Sequence, residues 1–357
     1  MSNSVLITGG AGFIGCALAG RLVAAGDRVT VLDVLHPQVH PRRGRPRRLP
    51  DQVELVPVDV TVPSSWDALL KLAAPDRIVH LAAETGTGQS LIEASRHARV
   101  NVVGTTEMLD ALVRADAVPA KIVLTSSRAV YGEGEWTGAD GETFAPRVRT
   151  HKDLAANKWD PLGPDGAPGV PQPSQADRTV PRPTSVYGAT KLAQEHILGA
   201  WVAATGTDLS ILRLQNVFGP GQSVANSYTG VVTLFAQTAM SGGQIEVYED
   251  GRIVRDFVYV DDVVDALVAS LDRPTDGRRV LDIGSGVATT IHELATNLST
   301  RFGAPTPRVS GHFRDGDVRA ASTNITPAAD ELGYHPSWGL QDGLETLAKW
   351  IEDEAEA

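Results

Sequence analysis

The stretch from Val5 to Asp33 constrains the fold of this chain more than any other. Val5-Leu6-Ile7-Thr8 is a short apolar run, and Gly9-Gly10-Ala11-Gly12-Phe13-Ile14-Gly15 follows it directly. Apolar residues at 14, 18, 22 and 23 recur at helical spacing until Gly26, and Arg28-Val29-Thr30-Val31-Leu32-Asp33 reads as a second strand. Strand, glycine turn, helix and strand within about 30 residues make a βαβ unit. Gly9, Gly12 and Gly15 fall where a dinucleotide pyrophosphate needs close backbone approach, at a helix N-terminus with free N–H groups and the positive end of a dipole. Phe13 and Ile14 belong to the same loop. Asp33, about 20 residues on, is placed to accept hydrogen bonds from a ribose 2′-hydroxyl and to repel a 2′-phosphate, which favours NAD over NADP.

The alternation continues along the chain. Strands are expected at 53–58, 77–82, 121–126, 208–214, 245–248 and 279–283, with a further strand-like run at 256–260. Helices are expected at 65–73, within 89–116, and at 184–205, 230–241, 261–271 and 290–302, and the tail beyond Asn324 reads as helical. Strands apolar throughout imply a parallel sheet covered on both faces, and right-handed crossovers make it doubly wound, a Rossmann-type α/β fold. The expected division is a dinucleotide-binding domain over 1–215 and 255–283, with a smaller C-terminal substrate domain over 216–254 and 284–357. Two segments break the rhythm. Residues 36–50 hold four prolines and five arginines, and 133–183 is rich in Pro, Gly and Asp. Both read as long loops or insertions. Arg42, Arg43, Arg45, Arg47 and Arg48 leave two readings open, a 2′-phosphate clamp or a solvated basic loop.

Charge and cysteine content narrow the classes. With 32 basic against 43 acidic residues in 357, the net charge of −11 argues against a nucleic-acid or anionic-membrane partner. Cys16 is the single cysteine, so neither an internal disulfide nor a cysteine-rich zinc site is possible, and no metal is expected. No signal-peptide pattern opens the chain and no apolar stretch reaches about 20 residues, so a soluble cytoplasmic protein is expected.

The chemistry is expected at Tyr187 and Lys191 in Pro183-Thr184-Ser185-Val186-Tyr187-Gly188-Ala189-Thr190-Lys191. Four residues apart, they share one helix face. An ammonium beside a phenol favours the phenolate and should pull the tyrosine below its usual value of about 10. Ser127 closes the strand 121–126, where open α/β sheets place ligands. Asp59, closing the third strand ahead of Val60, reads as an adenine contact or as a strand-end cap.

Taken together, these features resemble the extended short-chain dehydrogenase/reductases, and within them the nucleoside-diphosphate-sugar epimerases. His80-Leu81-Ala82-Ala83 resembles the fourth-strand motif beside the nicotinamide, and Asn101 the helix asparagine that braces the site. Thr125-Ser126-Ser127-Arg128-Ala129-Val130-Tyr131-Gly132 resembles the segment supplying the catalytic serine, which falls on Ser127. Arg213-x-x-Asn216-Val217-Phe218-Gly219-Pro220-Gly221 resembles the sugar-nucleotide segment, with Asn216 on the diphosphate. Glu249-Asp250-Gly251 and Arg255-Asp256-Phe257 resemble the strand whose arginine binds the nucleotide. Arg255 and Arg314 are read as a diphosphate clamp, with a surface ion pair to a neighbouring aspartate as the rival for Arg314. Tyr248 reads as a pyrimidine-stacking ring or as a core residue. The resemblance also implies a homodimer pairing the helices near 89–116 and 184–205.

The resemblance implies 4-epimerisation of a nucleotide sugar by transient oxidation at C4, with Tyr187 as base, Lys191 on the nicotinamide ribose and Ser127 aligning the hydroxyl. A 4-ketoreductase is the alternative. A 4,6-dehydratase is disfavoured, because that subfamily carries an Asp-Glu pair after the catalytic strand residue, where this chain has Arg128 and Ala129. Glu84-Thr85-Gly86-Thr87-Gly88-Gln89-Ser90, the segment after Ser126 and Tyr228-Thr229-Gly230-Val231 resemble members acting on dTDP-L-rhamnose, which also carry a long insertion before the tyrosine. Glu84 and Thr85 are therefore expected on the substrate side, and Arg128, beside Ser127, reads as a contact to a sugar carboxylate or as support for the strand end. Many of those members have paired cysteines in the insertion. Here Leu162-Gly163-Pro164-Asp165-Gly166 has none, which leaves UDP-hexoses and UDP-uronic acids open.

Overall fold

A computed structural model describes residues 2–40, 44–72, 74–223 and 230–355. In chain order the first strands are β1 (Ser4–Thr8), β2 (Arg28–Asp33), β3 (Glu54–Pro57), β4 (Arg77–His80) and β5 (Lys121–Ser127). The insertion contributes β6 (Trp136–Thr137), β7 (Thr143–Phe144) and β8 (Val170–Pro171). Then come β9 (Asp208–Leu214), β10 (Asn216–Phe218), β11 (Glu246–Val247), β12 (Val254–Tyr259), β13 (Arg278–Ile283), β14 (Ala288–Thr290), β15 (Arg308–Val309) and β16 (Ala320–Ala321).

Seven of these form one sheet in the order β13-β9-β5-β4-β1-β2-β3, parallel at every pairing. The chain runs outward from β1 to β3 and then returns to β4 on the other side of β1. The order therefore reverses between β1 and β4, where doubly wound sheets open a ligand crevice beyond the strand C-termini. Both faces are covered, as the apolar strands require: Val5 and Ile7 pack into one core and Leu6 into the other, with Val123 and Ile122 divided likewise. The expected α/β doubly wound fold is what forms.

Smaller sheets sit beside it. β12 pairs with β10, β14 and β16 rather than with the large sheet, and β11 pairs with β15. The insertion is more than loop. β6 lies between β7 and β8, and the helix His151–Ala155 is closed by a reciprocal Thr150/Asp153 cap. The expected helix within 89–116 is broken into Gln89–Ile92, Ala94–Ala98 and Gly104–Arg114, with a π-turn at Arg99–Val103. A π-turn inside a helix re-aims a side chain, here that of Asn101. The helix Val186–Thr205 starts at Ser185, whose side chain accepts from the Gly188 N–H at 3.1 Å, and stops at Gly206, φ +75°.

Candidate active site

The C-terminal ends of β1, β4, β5 and β9 converge on a cavity of about 560 Å³ lined by Gly9, Asp33, Leu81, Ser127, Tyr187 and Lys191 among others. Gly9, at φ +67°, lies so close to the end of β4 that an added Cβ would stand 2.7 Å from the Ala82 nitrogen. A Cβ on Gly15 would stand 2.4 Å from the Gly10 Cα. The loop is thus folded onto itself, and only glycine fits either place. The helix Phe13–Ala24 begins at Gly12 with no side-chain cap and no acid in its first turn, so its terminal N–H groups remain for an anion. Asp33 accepts from the Ala11 N–H at 3.1 Å and the Leu35 N–H at 2.8 Å, fixing the glycine loop and the turn after β2 together. Asp59 accepts from the Thr61 N–H at 2.8 Å, so the carboxylate shapes its own turn while lining the cavity beside Val60. Cradle, uncapped helix and acid fit a dinucleotide.

Sequence reasoning missed part of this wall. His36, Gln38 and His40 line the cavity, and His40 Nε2 stands 3.9 Å from Asp33 Oδ1. Burial lowers the His40 pKa, with Asp33 pulling the other way. Their position directly after Asp33 was the available signal. In the neighbouring basic loop, Arg45 donates to the Pro50 and Val53 carbonyls, and Arg48 packs on Gly221. Arg42 and Arg43 lie outside the described residues.

Toward the other end, Ser127 and Tyr187 line the same cavity, and Ser127 Oγ accepts from the Ala129 N–H at 3.2 Å. Asn101, fully buried, stands behind this wall. Its Nδ2 donates to the Glu84 carbonyl at 3.0 Å and to Thr190 Oγ1 at 2.9 Å, and its Oδ1 accepts from the Glu84 N–H at 2.7 Å. One side chain therefore joins the segment after β4 to the helix that carries Tyr187 and Lys191. Beneath Lys191, Glu195 accepts from Ser126 Oγ and from Arg213 at 3.0 and 2.7 Å, with all three groups buried.

The electrostatics differ from expectation. Burial pushes the Tyr187 phenol up, opposed by the Ser127 hydrogen bond and the Arg128 guanidinium. The expected lowering by Lys191 is not found. Lys191 is 3% exposed and burial pushes its ammonium down to about 7, with Glu195 pulling the other way. Below about pH 7 both folded and unfolded chains protonate Lys191; between there and the ordinary 10.5 the unfolded chain binds more protons, so this group's effect on stability becomes more favourable as pH rises. Lys191→Met should thus raise the melting temperature of NAD-free protein most at about pH 6 and least at about pH 10; an advantage independent of pH would contradict this.

The expected substrate residues divide. Glu84 and Thr85 line the cavity, with Glu84 held by Arg96 at 2.8 Å. Arg128, Asn216, Tyr248, Arg255 and Arg314 lie outside its lining. Arg128 is half-buried and donates from Nε to Asn216 Oδ1 at 3.0 Å. Arg255 is buried, donating to Asp317 Oδ1 at 2.6 Å and to the Val318 carbonyl at 2.9 Å. Arg314 is exposed, and its guanidinium lies over the Tyr248 ring at 5.2 Å. Among the described residues it pairs with neither adjacent aspartate: Asp315 meets His151, and Asp317 meets Arg255. Two buried arginines that the sequence did not single out tie the insertion to the turn at Glu249 and Asp250. Arg149 bonds Glu133 and Glu249, and Arg319 bonds Asp160, Glu249 and Asp250.

Residues 5–158 and 162–284 match the NAD dependent epimerase/dehydratase family. The chain belongs to that family. Its cofactor is NAD, and its enzymes are of the extended short-chain dehydrogenase/reductase type. A dTDP-L-rhamnose 4-epimerase of Burkholderia thailandensis is 54% identical over 353 residues, covering 99% of this chain and 96% of its own. A UDP-glucose 4-epimerase of Mycolicibacterium smegmatis is 31% identical over 357 residues, covering 98% and 99%. Among solved structures, the UDP-glucose 4-epimerase of Thermotoga maritima with UDP-glucose superposes with a TM-score of 0.80 at 27% identity, over 98% of this chain and 99% of its own. That of Thermus thermophilus in complex with NAD gives 0.78 at 26% identity, over 98% of each chain.

Proposed function

We propose that this chain is an NAD-dependent nucleoside-diphosphate-sugar 4-epimerase whose substrate is dTDP-L-rhamnose. The observation that carries the reading is that Ser127, Tyr187 and Lys191 line one cavity with the glycine loop, Ser127 being followed by Arg128 and Ala129 instead of carboxylates. Gly9, Gly12 and Gly15 with the helix N-terminus hold the pyrophosphate, Asp33 the adenine ribose, and Lys191 the nicotinamide ribose. Bound there, NAD supplies reversible two-electron oxidation at the sugar C4. Tyr187, as phenolate, takes the proton of the 4-hydroxyl and later returns it; Ser127 holds the hydroxyl in line. No acid–base pair stands after Ser127 to drive elimination, which favours epimerisation over dehydration.

The 54% identity to the Burkholderia thailandensis enzyme supports the sugar nucleotide, although the insertion lacks cysteine. Asn216, Arg255 and Arg314 bind the nucleotide diphosphate in this reading, and Tyr248 its base. The protein works in the cytoplasm as a homodimer; no described helix is long and apolar enough to cross a membrane, and Leu91, Ile92 and Val103 are exposed apolar residues on the pairing segment. The test is a panel of dTDP- and UDP-sugars followed by NMR. Conversion of dTDP-L-rhamnose to its C4 epimer supports the reading, and exclusive turnover of UDP-sugars overturns the substrate.

A further inference from the structure

Two segments leave the large sheet on either side of the glycine loop. The strand order β4-β1-β2 sets the segment after β2 and the segment after β4 about 10 Å apart at their roots, two strand spacings, with the end of β1 between them. Side chains from the two segments meet across that gap. Gln38 Nε2 donates to Gln89 Oε1 at 3.1 Å, and Gln89 Nε2 donates back to Gln38 Oε1 at 3.3 Å. Arg96 Nη2 donates to Gln38 Oε1 and to His36 Nε2, both at 3.4 Å. His36, Gln38, Gln89 and Arg96 all line the cavity of the glycine loop. A dinucleotide on Gly9, Gly12 and Gly15 therefore lies between two walls that are hydrogen-bonded to each other.

The bridge is anchored on the β4 side. Arg96 bonds Glu84 at 2.8 Å and Glu93 at 2.7 Å, and Gln89 Nε2 donates to Glu93 Oε1 at 3.1 Å. Two carboxylates already neutralise the guanidinium, which makes it a poor receptor for a pyrophosphate. The same Nη2 that reaches Glu84 faces the opposite wall. Bonds to the carboxylates are short and charge-assisted, whereas those across the cleft are longer and end on neutral groups, so the bridge parts most easily at the cleft.

Resting on the epimerase reading above, we infer that Arg96 and Gln38 are positioning residues for the cofactor: the bridge they form closes the cleft over NAD and holds it through a complete turnover. The chemistry of that reading needs such a hold. The hydride leaves C4 of the sugar for the nicotinamide and returns to the same carbon, so a reduced cofactor that escapes carries it away and strands a 4-keto sugar. Glu84, expected on the substrate side, becomes a support for the bridge.

Enzyme loaded with isotope-labelled NAD is chased with unlabelled NAD, and the label left on the protein is followed with time. Arg96→Gln and Gln38→Ala should each lose label about tenfold faster than the parent. The double variant should be little faster than either, because both side chains act through one bridge. Arg96→Lys, with the charge but without the fork, should fall between parent and Arg96→Gln. Arg114→Gln breaks an exposed pair with Asp67 elsewhere on the surface and should exchange as the parent does. Exchange at the parent rate in Arg96→Gln or in Gln38→Ala overturns the inference, and so do effects that multiply in the double variant. A KM for the sugar nucleotide raised without faster exchange returns Arg96 and Glu84 to the substrate side. The exchange itself needs no sugar. Faster exchange in variants of a chain that epimerises nothing keeps the bridge and removes the reaction; 4-epimerisation by a chain whose variants exchange at the parent rate does the reverse.

Discussion

Replacing Tyr187 by Phe should lower kcat by about 10²–10⁴-fold while leaving the fold and NAD retention intact. The phenyl ring keeps the half-buried packing of the helix start, and the helix is anchored independently by its Ser185 cap and by Asn101 through Thr190. What disappears is the hydroxyl that, in this reading, accepts the proton in the cavity shared with Ser127 and Lys191. Single-turnover measurement with NAD-loaded enzyme separates this from a binding defect. Near-normal turnover would remove Tyr187 from the chemistry.

The second large effect is on stability. Arg319 is 3% exposed and bonds Asp160 at 2.7 Å, Glu249 at 3.0 Å and Asp250 at 2.6 and 2.8 Å. Arg319→Met leaves Glu249, itself 1% exposed and in a left-handed backbone conformation at φ +53°, with Arg149 alone as its counter-ion. Breaking a buried pair from one side costs about 3–5 kcal/mol. The half-exposed pair Arg21–Asp265 provides the contrast, since Arg21→Met should change stability by no more than about 1 kcal/mol. Urea unfolding of the two variants measures the difference, and equal losses would contradict the buried-network account. Arg149 also donates to the Asp317 carbonyl at 2.7 Å, and Asp317 holds Arg255, so loosening the network should raise KM as well.

The sheet was legible in the sequence because its strands have largely apolar centres and most of the covering helices keep a steady period. Residues 5 to 33 alone give strand, turn, helix, strand and acid, and Asp33 does close β2 beside the glycine loop. The insertion was not legible, since β6, β7 and β8 are two residues each, too short to carry a period. The π-turn at Asn101 was hidden for a different reason: its partners Glu84 and Thr190 lie 17 and 89 residues away. Arg149 and Arg319 were invisible on the same ground, as their bonds to Glu249 span 100 and 70 residues. The Tyr187–Lys191 spacing placed both groups correctly along one helix, yet spacing says nothing of burial. Burial reverses the expected direction for the phenol and leaves Arg128 as the opposing cation.

The most direct test of the central claim is the fate of a deuterium label at C4 of dTDP-L-rhamnose incubated with the purified, NAD-loaded enzyme. Epimerisation by transient oxidation predicts that both C4 epimers form, that each keeps its deuterium, and that no reduced cofactor is consumed. Loss of the label to solvent, or product formed in proportion to added NADH, would contradict it.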